Sequence, residues 1–141
     1  MSTEWQYQIR IQLTEELAPI ARNDLAHPAL KPLAEVLVRH RAKIKCQYDA
    51  FADYVSEAER NGAQNYPLYK WTKATIENPI KKEKYLKSFT VYVDGAEVYS
   101  KREADALELD LKPMAENGLI RQISRHDTNP ANNPQPPAHL R

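Results

Sequence analysis

Between Trp5 and Leu13 the chain alternates strictly. Trp5, Tyr7, Ile9, Ile11 and Leu13 are apolar, while Gln6, Gln8, Arg10 and Gln12 between them are polar. A period of two marks a strand with one face on a core and the other open. At Thr14 the pattern changes: a hydroxyl followed by Glu15 and Glu16 reads as a helix start, and Pro19 keeps that helix short or distorted. From Leu33 to Asn61 neither proline nor glycine interrupts the chain. Leu33, Leu37, His40, Ile44, Tyr48, Phe51, Val55 and Ala58 recur there at three- and four-residue steps. That stripe predicts one continuous helix of roughly 40 Å, closed by Asn61 and Gly62.

Residues 64–87 are less regular, with Tyr66, Tyr69, Trp71 and Tyr85 among lysines and Pro67 and Pro79 as breakers. A second strand is expected over Ser88–Val93, a two-residue hairpin turn at Asp94 and Gly95, and a third strand over Ala96–Tyr99. Ser100 and Glu103 have the spacing of a capping box. They open a helix that buries Ala104, Leu107, Leu111 and Met114, is broken or kinked at Pro113, and ends at Asn117 and Gly118. Leu119–Arg125 reads as the fourth strand. The order β-α-α-β-β-α-β predicts an α+β domain on the ferredoxin-like plan: a four-stranded, mostly antiparallel sheet backed by helices. The long helix and the aromatic and lysine-rich insertion are additions to that plan. The domain is expected to occupy residues 1–126. Residues 127–141, with Pro130, Pro134, Pro136 and Pro137, read as a Pro/Asn-rich tail that forms neither helix nor strand.

Composition narrows the functional classes. The 141 residues suffice for one core, and 42% hydrophobic with 28% charged residues is ordinary for a folded domain. A net charge of +1 favours neither nucleic acid nor an acidic membrane as a bulk electrostatic partner. Lysines concentrate over 70–87 and acids over 103–116, which reads as two solvated faces. The single cysteine, Cys46, rules out an internal disulfide framework and a cysteine-based zinc site. With no basic-then-apolar start and no apolar run near 18 residues, the expected compartment is the cytoplasm.

Candidate chemistry is sparse. His27, His40, His126 and His139 form no ligand pair, and Asp49 with Asp53 reads as a solvated pair on a helix, so no metal is expected. Cys46 reads as a tolerated structural cysteine and His40 as a core or interface histidine. No nucleophile-elbow, phosphate-loop or dinucleotide motif occurs, so no catalytic residue and no cofactor are expected. The expectation is therefore a non-enzymatic protein-binding or adaptor domain with an unidentified protein partner. A homodimer is expected through the glutamine-lined sheet face. The binding residues expected from the aromatic and lysine-rich insertion and the first strand are Arg10, Tyr66, Tyr69, Lys70, Trp71 and Lys73. Two alternatives accompany this reading. One is single-stranded nucleic-acid binding by the segment 66–92; the other is a cofactor-independent enzyme with an apolar pocket in a ferredoxin-like dimer.

Overall fold

The computed structural model describes residues 6–128. Four strands, β1 (Tyr7–Leu13), β2 (Ala42–Cys46), β3 (Ser88–Val93) and β4 (Ile120–Asp127), form one sheet in the order β2-β3-β1-β4, each antiparallel to its neighbour. The α+β class expected from the pattern holds. Six α-helices are present among the described residues: α1 (Leu17–Asn23), α2 (Lys31–Arg39), α3 (Gln47–Asn61), α4 (Tyr69–Glu77), α5 (Pro79–Leu86) and α6 (Lys101–Glu116). None is long and apolar enough to cross a membrane. Trp5 and the expected tail lie outside the described residues, except that Asp127 closes β4 and the Thr128 amide donates to the Gln6 carbonyl.

One face of the sheet carries the core. Ile9, Ile11 and Leu13 of β1 lie beside Phe89, Val91 and Val93 of β3, and α2 and α6 cover them with Leu33, Leu37, Leu107 and Leu111. Each of these strands sends every second side chain inward, so the sequence alternation sets which face is buried. At the end of the β1–β3 ladder a side chain joins in. Tyr99, buried, accepts the Ile9 N–H at 2.8 Å and donates to the Val91 carbonyl at 2.9 Å. Burial pushes the Tyr99 phenol up to about 12.

Four expectations need correction. The helix expected over Leu33–Asn61 is divided: α2 stops at Arg39, the chain turns at Arg41 with φ 53°, and residues 42–46 become β2. Ala42, Ile44 and Cys46 step by two, a strand period, whereas only Ile44 of the three falls on the helical stripe, and the five-residue pairing with β3 fixes the strand. The left-handed Arg41 is held by an ion pair to Asp94 at 2.9 Å and by the Asp94 amide, which donates to its carbonyl.

Asp94 and Gly95 do form the expected tight turn, both at positive φ. However, residues 96–99 are not a strand. They make isolated bridges, Val93 with Ala96 and Tyr7 with Tyr99, because Tyr99 turns into the core. Pro113 lies inside α6, which continues to Glu116. It falls in the last turn, and the carbonyl four residues before it, which a proline leaves without its helical donor, belongs to exposed Leu109. Ser100 caps this helix as expected, its Oγ accepting the Glu103 amide at 3.2 Å, and Gly118 follows at φ 88°. The segment expected to be irregular is largely helical. It sits between β2 and β3 as the unit α3–α5.

Candidate binding hollow on the open sheet face

The sheet face away from α2 and α6 is polar. Gln8, Arg10 and Gln12 of β1 run down its middle, opposite Thr90 and Ser88 of β3 on one side and His126, Ser124 and Gln122 of β4 on the other. Lys43 and Lys45 of β2 face the same way at the edge, beside Tyr92 and Thr90. The unit α3–α5 overhangs part of this face and buries Ser88 and Thr90.

Between the overhang and β4 lies a hollow of about 270 Å³. Its floor is Arg10 and Gln12, with Gln122, Ser124 and His126 along one side. Lys84 and Tyr85 of α5 and Gln47, the first residue of α3, make the opposite wall. A second hollow of about 290 Å³ continues towards Val98, Asp127 and Thr128. Arg10 and His126 line both, so together the hollows form a groove along β1 and β4.

Arg10 sits in this groove under unusual conditions. Its Nε donates to Gln8 Oε1, and among the described residues no carboxylate forms an ion pair with it. Other cations of low exposure are all paired. Lys87 (side chain 16% exposed) meets Glu15 at 2.9 Å, Arg125 (23%) meets Asp105 at 2.7 Å, and Arg22 (31%) meets Asp49 at 2.7 Å. Withdrawing a charge from water is costly, so buried cations normally carry a counter-charge. Burial lowers the Arg10 pKa, and Tyr85, Glu97 and Tyr92 partly offset the effect. His126 is also shifted down, first by burial and then by Arg10, while its Nε2 lies 3.3 Å from Ser124 Oγ. The amides of Gln12, Gln47 and Gln122 make no side-chain hydrogen bond among the described residues, nor do the two terminal nitrogens of Arg10. The site therefore gathers a guanidinium fork, an ammonium, an imidazole and several amide donors. It can neutralise an anion and pair with amides flanking it.

The six residues expected from the sequence divide. Arg10 is in the groove, and none of the other five lines it. Tyr69 donates to Glu59 of α3 at 2.9 Å, and Lys73 reaches the same carboxylate at 3.4 Å. Trp71 meets Phe51 edge to face at 6.2 Å, and Tyr66 meets Tyr54 in the same way at 5.5 Å. Lys70 is exposed. The contacts of these four rings and cations hold α4 against α3. The expected Asp49–Asp53 pair is engaged too, by Arg22 and by Lys45 at 2.6 Å. Cys46 lies at the end of β2 rather than within a helix. Its thiol donates to the Tyr85 carbonyl at 3.3 Å, and burial pushes its pKa up. His40 ends α2 half-buried, with Nε2 donating to Asp110 of α6 at 2.7 Å.

Lys84 and Tyr85 fall in the segment 66–92 of the nucleic-acid alternative, and the groove residues outside every binding expectation include Gln47, Ser124 and His126. Only the β4 pair left a signal: Gln122, Ser124 and His126 step by two along the last strand, as Gln8, Arg10 and Gln12 do along the first. Compared with known protein families, curated proteins and solved structures, the chain matches none.

Proposed function

We propose that this chain is a non-enzymatic protein-binding domain on the ferredoxin-like plan, and that it holds its partner on the open face of the sheet. The plan is supported by the strand order, with every neighbouring pair antiparallel. It is supported also by the crossovers from β1 to β2 and from β3 to β4, each of which skips one strand. The observation that carries the binding reading is Arg10: a half-buried cation of an inner strand that forms no ion pair among the described residues and lines both hollows. A groove with hydrogen-bonding groups along its length suits an extended segment of a partner.

Self-pairing through this face is less favoured. An isologous dimer would set a concave, cationic hollow against its own copy, with neither shape nor charge complementary. A second reading, single-stranded nucleic acid, is favoured by Tyr92, which stands half-buried on the open face opposite Lys43.

Selection of extended peptides from a random displayed library against the full chain, followed by amide chemical-shift mapping, tests the proposal. Shifts are expected at Gln8, Arg10, Gln12, Gln122 and His126. Perturbation confined to residues 66–73, or a failure to select any binder, would sink it. Retention on a single-stranded oligonucleotide that falls steeply with salt would favour the second reading.

A further inference from the structure

Resting on the proposal that the open face is the recognition surface, we infer that the Arg10 hollow is a carboxylate receptor. It takes the side chain of one acidic residue in an extended partner segment. The chemistry of the walls makes the choice. Arg10 offers two terminal nitrogens that have no hydrogen-bond partner among the described residues, a fork that fits a carboxylate bidentately. Lys84 adds one further full charge from the α5 wall, its Nζ lying over the Tyr85 ring at 5.5 Å without an ion pair among the described residues.

Apart from the His126 imidazole, the other polar side chains lining the Arg10 hollow are mostly amides and hydroxyls, and amides both donate and accept. Such walls pair with the peptide groups on either side of an acidic side chain. They do less for a dianionic phosphate, which is all acceptor and is usually met by several cations. The continuation of the groove past Arg10 to Val98 and Thr128 gives the flanking chain somewhere to lie.

Register supplies a test that does not depend on damaging the protein. Ser124 of β4 stands directly across from Arg10 in the antiparallel pair. Cross-strand neighbours at this spacing form ion pairs when their charges are opposite. Ser124→Asp should therefore fill the hollow with an internal carboxylate.

The experiment uses the full chain, with the Arg10 Nε–H and the His126 ring followed by NMR. The probes are acetyl-glutamate N-methylamide, its glutamine counterpart and inorganic phosphate. The glutamate probe is expected to move both signals saturably, and the glutamine probe to leave them in place. Arg10→Gln should weaken the response at His126 at least tenfold. Ser124→Asp should abolish it while raising the thermal midpoint, so that loss of binding cannot be ascribed to misfolding. Equal responses to the glutamate and glutamine probes overturn the inference, as does tight phosphate binding with an inert glutamate probe. If selected peptides map to the open face but carry no acid and bind Arg10→Gln unchanged, this inference falls and the broader proposal stands. If no peptide maps there, both fall.

Discussion

Around Phe89, Ile9, Ile11 and Leu107 the side chains are large, aliphatic or aromatic, and completely enclosed between the sheet and the α2–α6 layer. In the α3–α5 unit no large apolar side chain is enclosed: the buried residues are Gln47, Val55, Ala58, Thr72 and Thr75. The big rings there, Phe51, Trp71 and Tyr85, are half-buried and meet at their edges, with Phe51 5.0 Å from Tyr85 and 6.2 Å from Trp71. One region rests on apolar area removed from water, which scales with side-chain size. The other rests on ring edges, an Asn78 cap and surface charges such as Glu59 with Lys73. The difference separates a scaffold from an attachment. The sheet fixes Arg10, Ser124 and His126, while the weaker helical unit carries the opposite wall of the groove, Lys84 and Tyr85.

The largest test of that contrast is Phe89→Ala, expected to cost about 3–5 kcal/mol and to lower the denaturant midpoint of the whole chain. Next is Tyr99→Phe. It strips a donor and an acceptor from the β1–β3 ladder and should cost about 1–3 kcal/mol through the Ile9 amide and Val91 carbonyl left unpaired. Trp71→Ala should cost less, roughly 1–2 kcal/mol, because its ring is half-exposed and its aromatic contact is a single edge. Hydrogen exchange sharpens this third case. Protection should drop across α4 and α5 while β1 and β3 keep theirs. A drop shared by the strands would show that the two regions unfold together and would break the comparison.

The smallest effect concerns pH. Hydrogen bonding from His40, and then from Arg39, holds Asp110 below the usual carboxylate range. A depressed carboxylate contributes stability that is present above its unfolded value and lost as the pH falls through its folded one. Asp110→Asn should therefore lower stability at neutral pH and flatten the acid limb below about pH 4. Acid titration of the thermal midpoint checks this. An unchanged acid limb would mean that the link between α2 and α6 contributes nothing.

How much of this was legible in the sequence follows from the range of the forces. β1, β3, β4 and α6 declare themselves through local periodicity and caps, because one face of each meets the main core. β2 does not. Ile44 fits a helical stripe too, and the assignment of Ala42, Ile44 and Cys46 depends on pairing with Val93, Val91 and Phe89 far along the chain. At the site, the polar face around Arg10 was visible as alternation. That no described carboxylate forms an ion pair with Arg10 was not, since this depends on where acids distant in the chain are placed. Tyr69, Lys73 and Trp71 looked available for a partner because nothing local reveals that Glu59 and Phe51 already engage them. Lys84 and Tyr85 stood among the aromatics and lysines of residues 66–92, but their place beside β1, like that of Gln47, arises through tertiary packing.

The central place of β1 also has a consequence for synthesis. Both of its partners, β3 and β4, leave the ribosome long after it does, and Tyr99, which completes its ladder, follows Ile9 by 90 residues. At roughly 5–20 residues per second, β1 spends on the order of 5–20 seconds with both edges unpaired and Ile9, Ile11 and Leu13 uncovered. During that interval α3, α4 and α5 emerge and can pack locally. The strand at the middle of the finished sheet is thus the segment most in need of protection while the chain is being made.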